Sequence, residues 1–130
     1  VSALLAPLKF FNGTLSEHLQ LSALTQKQRS FVESMLVDFG LIDKLDDYPA
    51  NFSEGEKRKA QIAICLAKDA QLYIFDEPLA AIDVNSKDTV MNWIKKRTLG
   101  NTLIMVLHGD EQFYNDFDSV IDLNVRNTAM

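Results

Sequence analysis

An α/β fold built on a parallel sheet is predicted for this 130-residue chain by two observations. Beyond Ser53, helix-like stretches alternate with short apolar runs, the pattern that joins parallel strands through helical, right-handed crossovers. Within that pattern, Leu72-Tyr73-Ile74-Phe75 supplies four large residues of the kind that fill a buried strand, and it ends directly in Asp76-Glu77-Pro78. A strand that runs into two carboxylates delivers charge to the edge of a sheet, where a ligand can sit.

The elements follow in order. Thr14-x-x-Glu17 and Thr25-x-x-Gln28 both fit the capping box, in which a side-chain oxygen takes a free backbone N–H at a helix start. After Thr25, Phe31, Val32, Met35, Leu36 and Phe39 recur at helical spacing, and Gly40 supplies the C-terminal stop. His18, on the first helix, reads as a surface residue. Asp46 to Asn51 is a polar loop containing Pro49. A helix from about Glu54 to Lys68 leads to the strand Leu72 to Phe75, then a helix from about Val84 to Leu99 and a strand from Thr102 to Leu107. A short helix near Glu111 and a strand from Ser119 to Leu123 complete the series.

Composition narrows the functional classes. With 47% hydrophobic and 24% charged residues the chain is globular material rather than a disordered tail. The formal net charge of -5 argues against a nucleic-acid partner, and Lys57-Arg58-Lys59 is one short helical stretch rather than a basic face. The single cysteine, Cys65, lies in an apolar helical pattern, so a buried reduced thiol and a reducing compartment are expected. No segment reaches the roughly 18 to 20 apolar residues of a membrane-spanning helix, so the reading is of a soluble chain. Its apolar start, Val1 to Pro7, suggests a piece that begins inside a domain rather than a signal peptide.

Chemistry concentrates in four places. Phe52-Ser53-Glu54-Gly55-Glu56 precedes the basic cluster and a largely apolar helix, and Asp76-Glu77 ends the strand. Leu79-Ala80-Ala81-Ile82-Asp83 comes next, and Val106-Leu107-His108 closes a later strand. Read as residues alone, each has a plain structural use: Asp76-Glu77-Pro78 can end a strand and cap a turn, and Ser53-x-x-Glu56 is a capping box. Asp83 can cap the helix that follows it, and His108 can be a polar strand end.

In this order, the four segments resemble the signature, Walker B, D-loop and switch-histidine motifs of ABC-type ATPases. The resemblance runs from about Ala6 to Leu123. It implies a partial P-loop NTPase (RecA-like) core with a parallel sheet, over about residues 70–124, plus the ABC α-helical subdomain and signature helix over about residues 6–69. It implies ATP and Mg²⁺ as ligands, with Asp76 near Mg²⁺ through water, Glu77 as catalytic glutamate and His108 as the γ-phosphate switch. Ser53, Gly55 and Glu56 would face the nucleotide held by an opposite ATPase domain, and Asp83 would cross that dimer interface. Transmembrane domains would be the other partner, placing the chain at the cytoplasmic face of a membrane.

The sequence also departs from the family pattern. No G-x-x-x-x-G-K-[ST] occurs in the 130 residues, so the phosphate-cradling loop is missing and the segment by itself is expected to be inactive, with one boundary of its sheet left bare. Phe10-Phe11-Asn12-Gly13-Thr14-Leu15-Ser16-Glu17-His18-Leu19 looks like an exporter segment, yet Ala6 stands where the Q-loop glutamine is expected. Glu54 and Glu56 replace a glycine and the glutamine of the usual signature, putting carboxylates where a polyphosphate approaches. The expected function is therefore the ATPase part of an ABC transporter, of exporter type. The alternatives are a degenerate domain serving as a non-catalytic partner, and a soluble ABC ATPase.

Overall fold

In a computed structural model, which describes residues 2–4 and 10–123, three parallel strands form one sheet in the order β1 (Ser2–Leu4), β2 (Leu72–Asp76), β3 (Thr102–Val106). β1 pairs Ser2 with Tyr73 and Leu4 with Phe75, while β2 pairs Leu72 with Thr102 and Asp76 with Val106. The register brings the carboxyl ends of β2 and β3 side by side. The first strand was not foreseen, since three residues leave no periodicity to read.

Among the described residues four α-helices accompany the sheet: α1 (Leu15–Leu21), α2 (Gln26–Asp38), α3 (Glu54–Ala67) and α4 (Val84–Thr98). Both foreseen capping boxes at Thr14 and Thr25 form, as does the one at Ser53. The free N–H groups of Leu15 and Ser16 are met by the carbonyls of Asp47 and Leu45, so the loop before α3 completes the start of α1. Gly40, with φ 74°, ends α2 as expected. The Leu41 N–H bonds the Leu36 carbonyl and the Gly40 N–H bonds that of Val37, the paired pattern of a Schellman stop.

The core lies where α3 meets α2, α4 and the sheet. α3 buries Ala60, Ile62, Ala63, Cys65, Leu66 and Ala67, α2 contributes Val32, Met35 and Leu36, and α4 contributes Val90, Met91 and Ile94. On β2, Tyr73 and Phe75 are buried while the alternate residues are half-buried. The Tyr73 hydroxyl donates to the Lys68 carbonyl at 2.7 Å and accepts from the Ala70 N–H, closing the turn into the strand.

Two expectations fail. Ser119 to Leu123 forms no strand. Its apolar side chains are open to solvent, Ile121 at 81% exposure, and a groove of about 510 Å³ separates them from β3. Among the described residues the ladder of β3 runs to β2 and no ladder reaches Ser119–Leu123, so nothing holds that segment as a strand. Among the described residues no strand pairs with the outer edge of β3, where Ile104 and Val106 are half-exposed. His18 is buried rather than superficial, because Phe10 and Phe11 fold back over α1: the Phe11 ring stacks on the imidazole at 3.7 Å and Phe10 meets it edge-on. The His18 Nδ1 donates to the Thr14 carbonyl at 2.7 Å. The short helix near Glu111 is a 3-10 helix, Glu111–Asp116, anchored by buried Phe113. Ala6 lies outside the described residues.

Candidate functional site

The carboxyl edge of the sheet collects the hydrolytic candidates. Asp76 is the last residue of β2, half-buried, and its carbonyl accepts from the Arg58 guanidinium at 3.3 Å. Glu77 leaves the strand with φ 49°, a left-handed backbone that a side-chain-bearing residue adopts only when its surroundings enforce it. The enforcement is visible: the Glu77 N–H donates to the Val106 carbonyl at 2.8 Å, and the Glu77 carbonyl accepts from the Ala80 N–H. The bend turns the exposed Glu77 away from the sheet line and buries Pro78 and Leu79 beneath it.

His108 lies two residues beyond β3 and is exposed. Glu77 and His108 share the wall of a cavity of about 140 Å³, with Ala80, Ala81, Lys87 and Asp110 on its other sides. Asp76 stands outside that wall. A larger cavity, about 670 Å³, opens at the opposite end of the strands between Asp69, Tyr73 and Arg97. There the Arg97 guanidinium is held by the Leu66 carbonyl at 2.9 Å and by Asp69 at 3.5 Å.

A second surface forms at the start of α3. The Ser53 hydroxyl accepts from the Glu56 N–H, and the Glu56 carboxylate accepts from the Ser53 N–H at 2.9 Å while its other oxygen pairs with Lys44 at 3.4 Å. Those bonds, that of Ser53 above all and then Lys44, hold the Glu56 carboxyl below its usual range. The Glu56 carboxylate is thus turned back onto its own cap, its charge paired with Lys44. Glu54 is different: its side chain is 74% exposed and meets only Lys57, at 3.3 Å.

Gly55 sits against the D-loop segment. A Cβ there would fall 2.6 Å from the Ala81 carbonyl oxygen, so this glycine permits a close approach of two backbones. Asp83 caps α4 by accepting from the Ser86 N–H at 3.1 Å and pairs with Lys59 of α3 at 3.7 Å. Hydrogen bonding from Ser86, then the Lys59 ammonium, lowers its carboxyl below the ordinary value. Asp83 thus ties the start of α4 to α3, while Ser53, Gly55, Glu56 and Asp83 itself do not line the cavity that holds Glu77 and His108.

Sequence reasoning missed Lys87, Asp110, Lys44 and the inward reach of Arg58. Lys87 lies one helical turn past Asp83 and Asp110 two residues past His108, but pairing across 23 positions leaves no local signal. Among the described residues no cluster of three metal-ligating side chains occurs. Mg²⁺ takes one or two carboxylates and fills its shell with water and phosphate oxygens, so such a cluster is not needed for Asp76 to be a candidate for it.

Comparison with known proteins places this geometry. The chain superimposes on a solved structure described as an ATP-binding subunit of an ABC transporter with a TM-score of 0.77 at 24% identity, over 86% of this chain and 50% of that one. The fold is that of a P-loop NTPase domain. The ABC transporter family profile matches residues 6–80, and the chain belongs to that family. It is 34% identical over 106 residues to the methionine import ATP-binding protein MetN of Mannheimia succiniciproducens, covering 80% of this chain and 30% of that protein. It is 33% identical over 104 residues to the retinal-specific phospholipid-transporting ATPase ABCA4 of Homo sapiens, covering 75% of this chain and 5% of that protein. The chain thus spans about 30% of the length of such import relatives. No helix among the described residues is long and apolar enough to cross a membrane.

Proposed function

We propose that this chain is part of the motor domain of an ABC transporter, in which ATP binding and hydrolysis drive movement of a substrate across a membrane. The observation that carries the reading is the grouping of Glu77 and His108 on one cavity at the carboxyl edge of the sheet, with Asp76 one residue behind. Glu77 orients the attacking water and takes its proton, assistance typically worth about 10²- to 10⁴-fold in rate. His108 donates to the γ-phosphate oxygens. Asp76 would hold Mg²⁺ through water, and that ion neutralises phosphate charge when bound.

Ser53 and Gly55 serve a different nucleotide, the one held by a second ATPase domain. Their separation from the Glu77 cavity supports that division, and Asp83, which touches α3 through Lys59, would sense the opposite site. No phosphate-loop motif occurs in these 130 residues, and the proposed site would be completed by such a loop in the complete domain. The groove between β3 and Ser119–Leu123 is where a further parallel strand leading to it fits. Transmembrane domains would hold the assembly at the cytoplasmic face. Phe10 to Leu19 supports an exporter, whereas the name of the MetN relatives supports import, and a vesicle transport assay distinguishes the two.

A second reading, a non-catalytic partner completing another subunit's site, is favoured by one observation: Glu54 places a 74% exposed carboxylate, paired with Lys57, beside the clamp. ATP trapping tests the main reading. In the complete protein, Glu77→Gln should retain ATP and accumulate ATP-bound dimers. A variant that releases nucleotide as fast as the parent does would overturn it.

A further inference from the structure

We propose that Lys87 and Asp110 are positioning residues for His108, forming a latch that ties the switch loop to α4; the proposal rests on the hydrolytic reading of the Glu77 cavity. Lys87 Nζ lies 2.7 Å from Asp110 Oδ1, the shortest ion pair among the described residues. It is also the pair with both side chains well covered, at 21% and 14% exposure, whereas each of the others leaves at least one partner at 29% or more. Surface ion pairs come and go, but a covered pair with short geometry holds its two elements in one arrangement.

The elements it joins are informative. Lys87 lies one turn into α4, whose first turn is capped by Asp83 of the D-loop. Asp110 lies two residues beyond His108, after a reversal through Gly109 at φ 82° and Asp110 at φ 52°. Gly109 enters this region freely, but Asp110 carries a side chain there, an uncommon backbone that its surroundings must hold. The ion pair is that anchor, and both its residues line the cavity shared by Glu77 and His108. Lys87 in this arrangement does not contact the reacting groups; its charge is taken by Asp110. What it sets is where His108 stands relative to Glu77, and because it rides on α4, a displacement of Asp83 reaches His108 through it.

The test uses the complete protein and steady-state ATP hydrolysis, with Lys87→Met, Lys87→Arg, Asp110→Asn and the double Lys87→Met/Asp110→Asn beside the Glu77→Gln control. Either single loss should lower kcat about tenfold with the KM for ATP and the melting temperature nearly unchanged, the signature of an interaction realised in turnover rather than in binding. The double variant should be no worse than the worse single one, and Lys87→Arg should recover most of the rate. Unchanged kcat in Asp110→Asn, which is nearly isosteric, overturns the proposal. So does a rate loss that tracks a lowered melting temperature, which marks a structural staple only. If Glu77→Gln itself keeps the parent rate, the hydrolytic reading fails and the latch falls with it, an outcome distinct from losing the latch alone.

Discussion

Replacing Gly55 by alanine tests the packing of the signature helix on the D-loop. In an ordinary helix this change stabilises by about 0.5–1 kcal/mol, because glycine loses more backbone freedom on folding. Here the added Cβ would sit 2.6 Å from the Ala81 oxygen, about 0.8 Å inside ordinary contact at 3.4 Å. The obstacle is backbone rather than the end of a flexible chain, and Ala81 is itself held at φ 64°. Overpacking of this kind costs about 1–3 kcal/mol. The clash wins, and Gly55→Ala should destabilise the complete domain by about 1 kcal/mol, with Asp83 displaced as α3 and the D-loop separate. Urea unfolding of parent and variant measures it directly. A variant as stable as the parent, or more so, would refute the close approach and leave helix propensity as the dominant effect at this position.

Other outcomes follow from the same geometry. Ser53→Ala removes a hydroxyl that caps α3 and should cost about 1 kcal/mol of stability, read from the urea midpoint, whether or not nucleotide is present. Tyr73→Phe deletes a buried hydroxyl that bonds both Lys68 and Ala70, and should cost about 1–2 kcal/mol in the same assay. Glu56 has a lowered pKa, held down first by the Ser53 backbone and then by Lys44, so its contribution is fully present above the ordinary value of 4.5 and fades as pH drops through the lower folded value. The stability gap between parent and Glu56→Gln should therefore narrow in acid, and a gap independent of pH between 7 and 3 would contradict the capping role of the carboxylate.

What was legible in the sequence was local. The capping boxes at Thr14, Thr25 and Ser53 and the stop at Gly40 each need contacts over a few residues, so their residue types declare them. The run Leu72 to Phe75 announced β2 because its residues suit a covered sheet centre, and Asp76 and Glu77 were placed at its end by counting. What failed was non-local. β1 is defined by pairing with β2, and Ser119 to Leu123 has strand-type residues but joins no strand among the described residues. His18 is covered by Phe10 and Phe11, whose fold-back no periodicity encodes. Around the candidate site, the positions of Ser53, Asp83 and His108 at element ends were readable. The contacts of Arg58 with the Asp76 carbonyl, of Gly55 with Ala81 and of Lys87 with Asp110 join segments 18 to 26 residues apart and emerge only from the fold.

The proposed function requires Glu77 to activate water for ATP hydrolysis. Steady-state hydrolysis by the complete protein, with its phosphate loop present, measured beside Glu77→Gln tests this most directly. Turnover in the variant should fall by about 10² or more while ATP still binds. A variant that hydrolyses ATP at the parent's rate would contradict the assignment and leave the exposed Glu54 and the degenerate-partner reading as the better explanation of this chain.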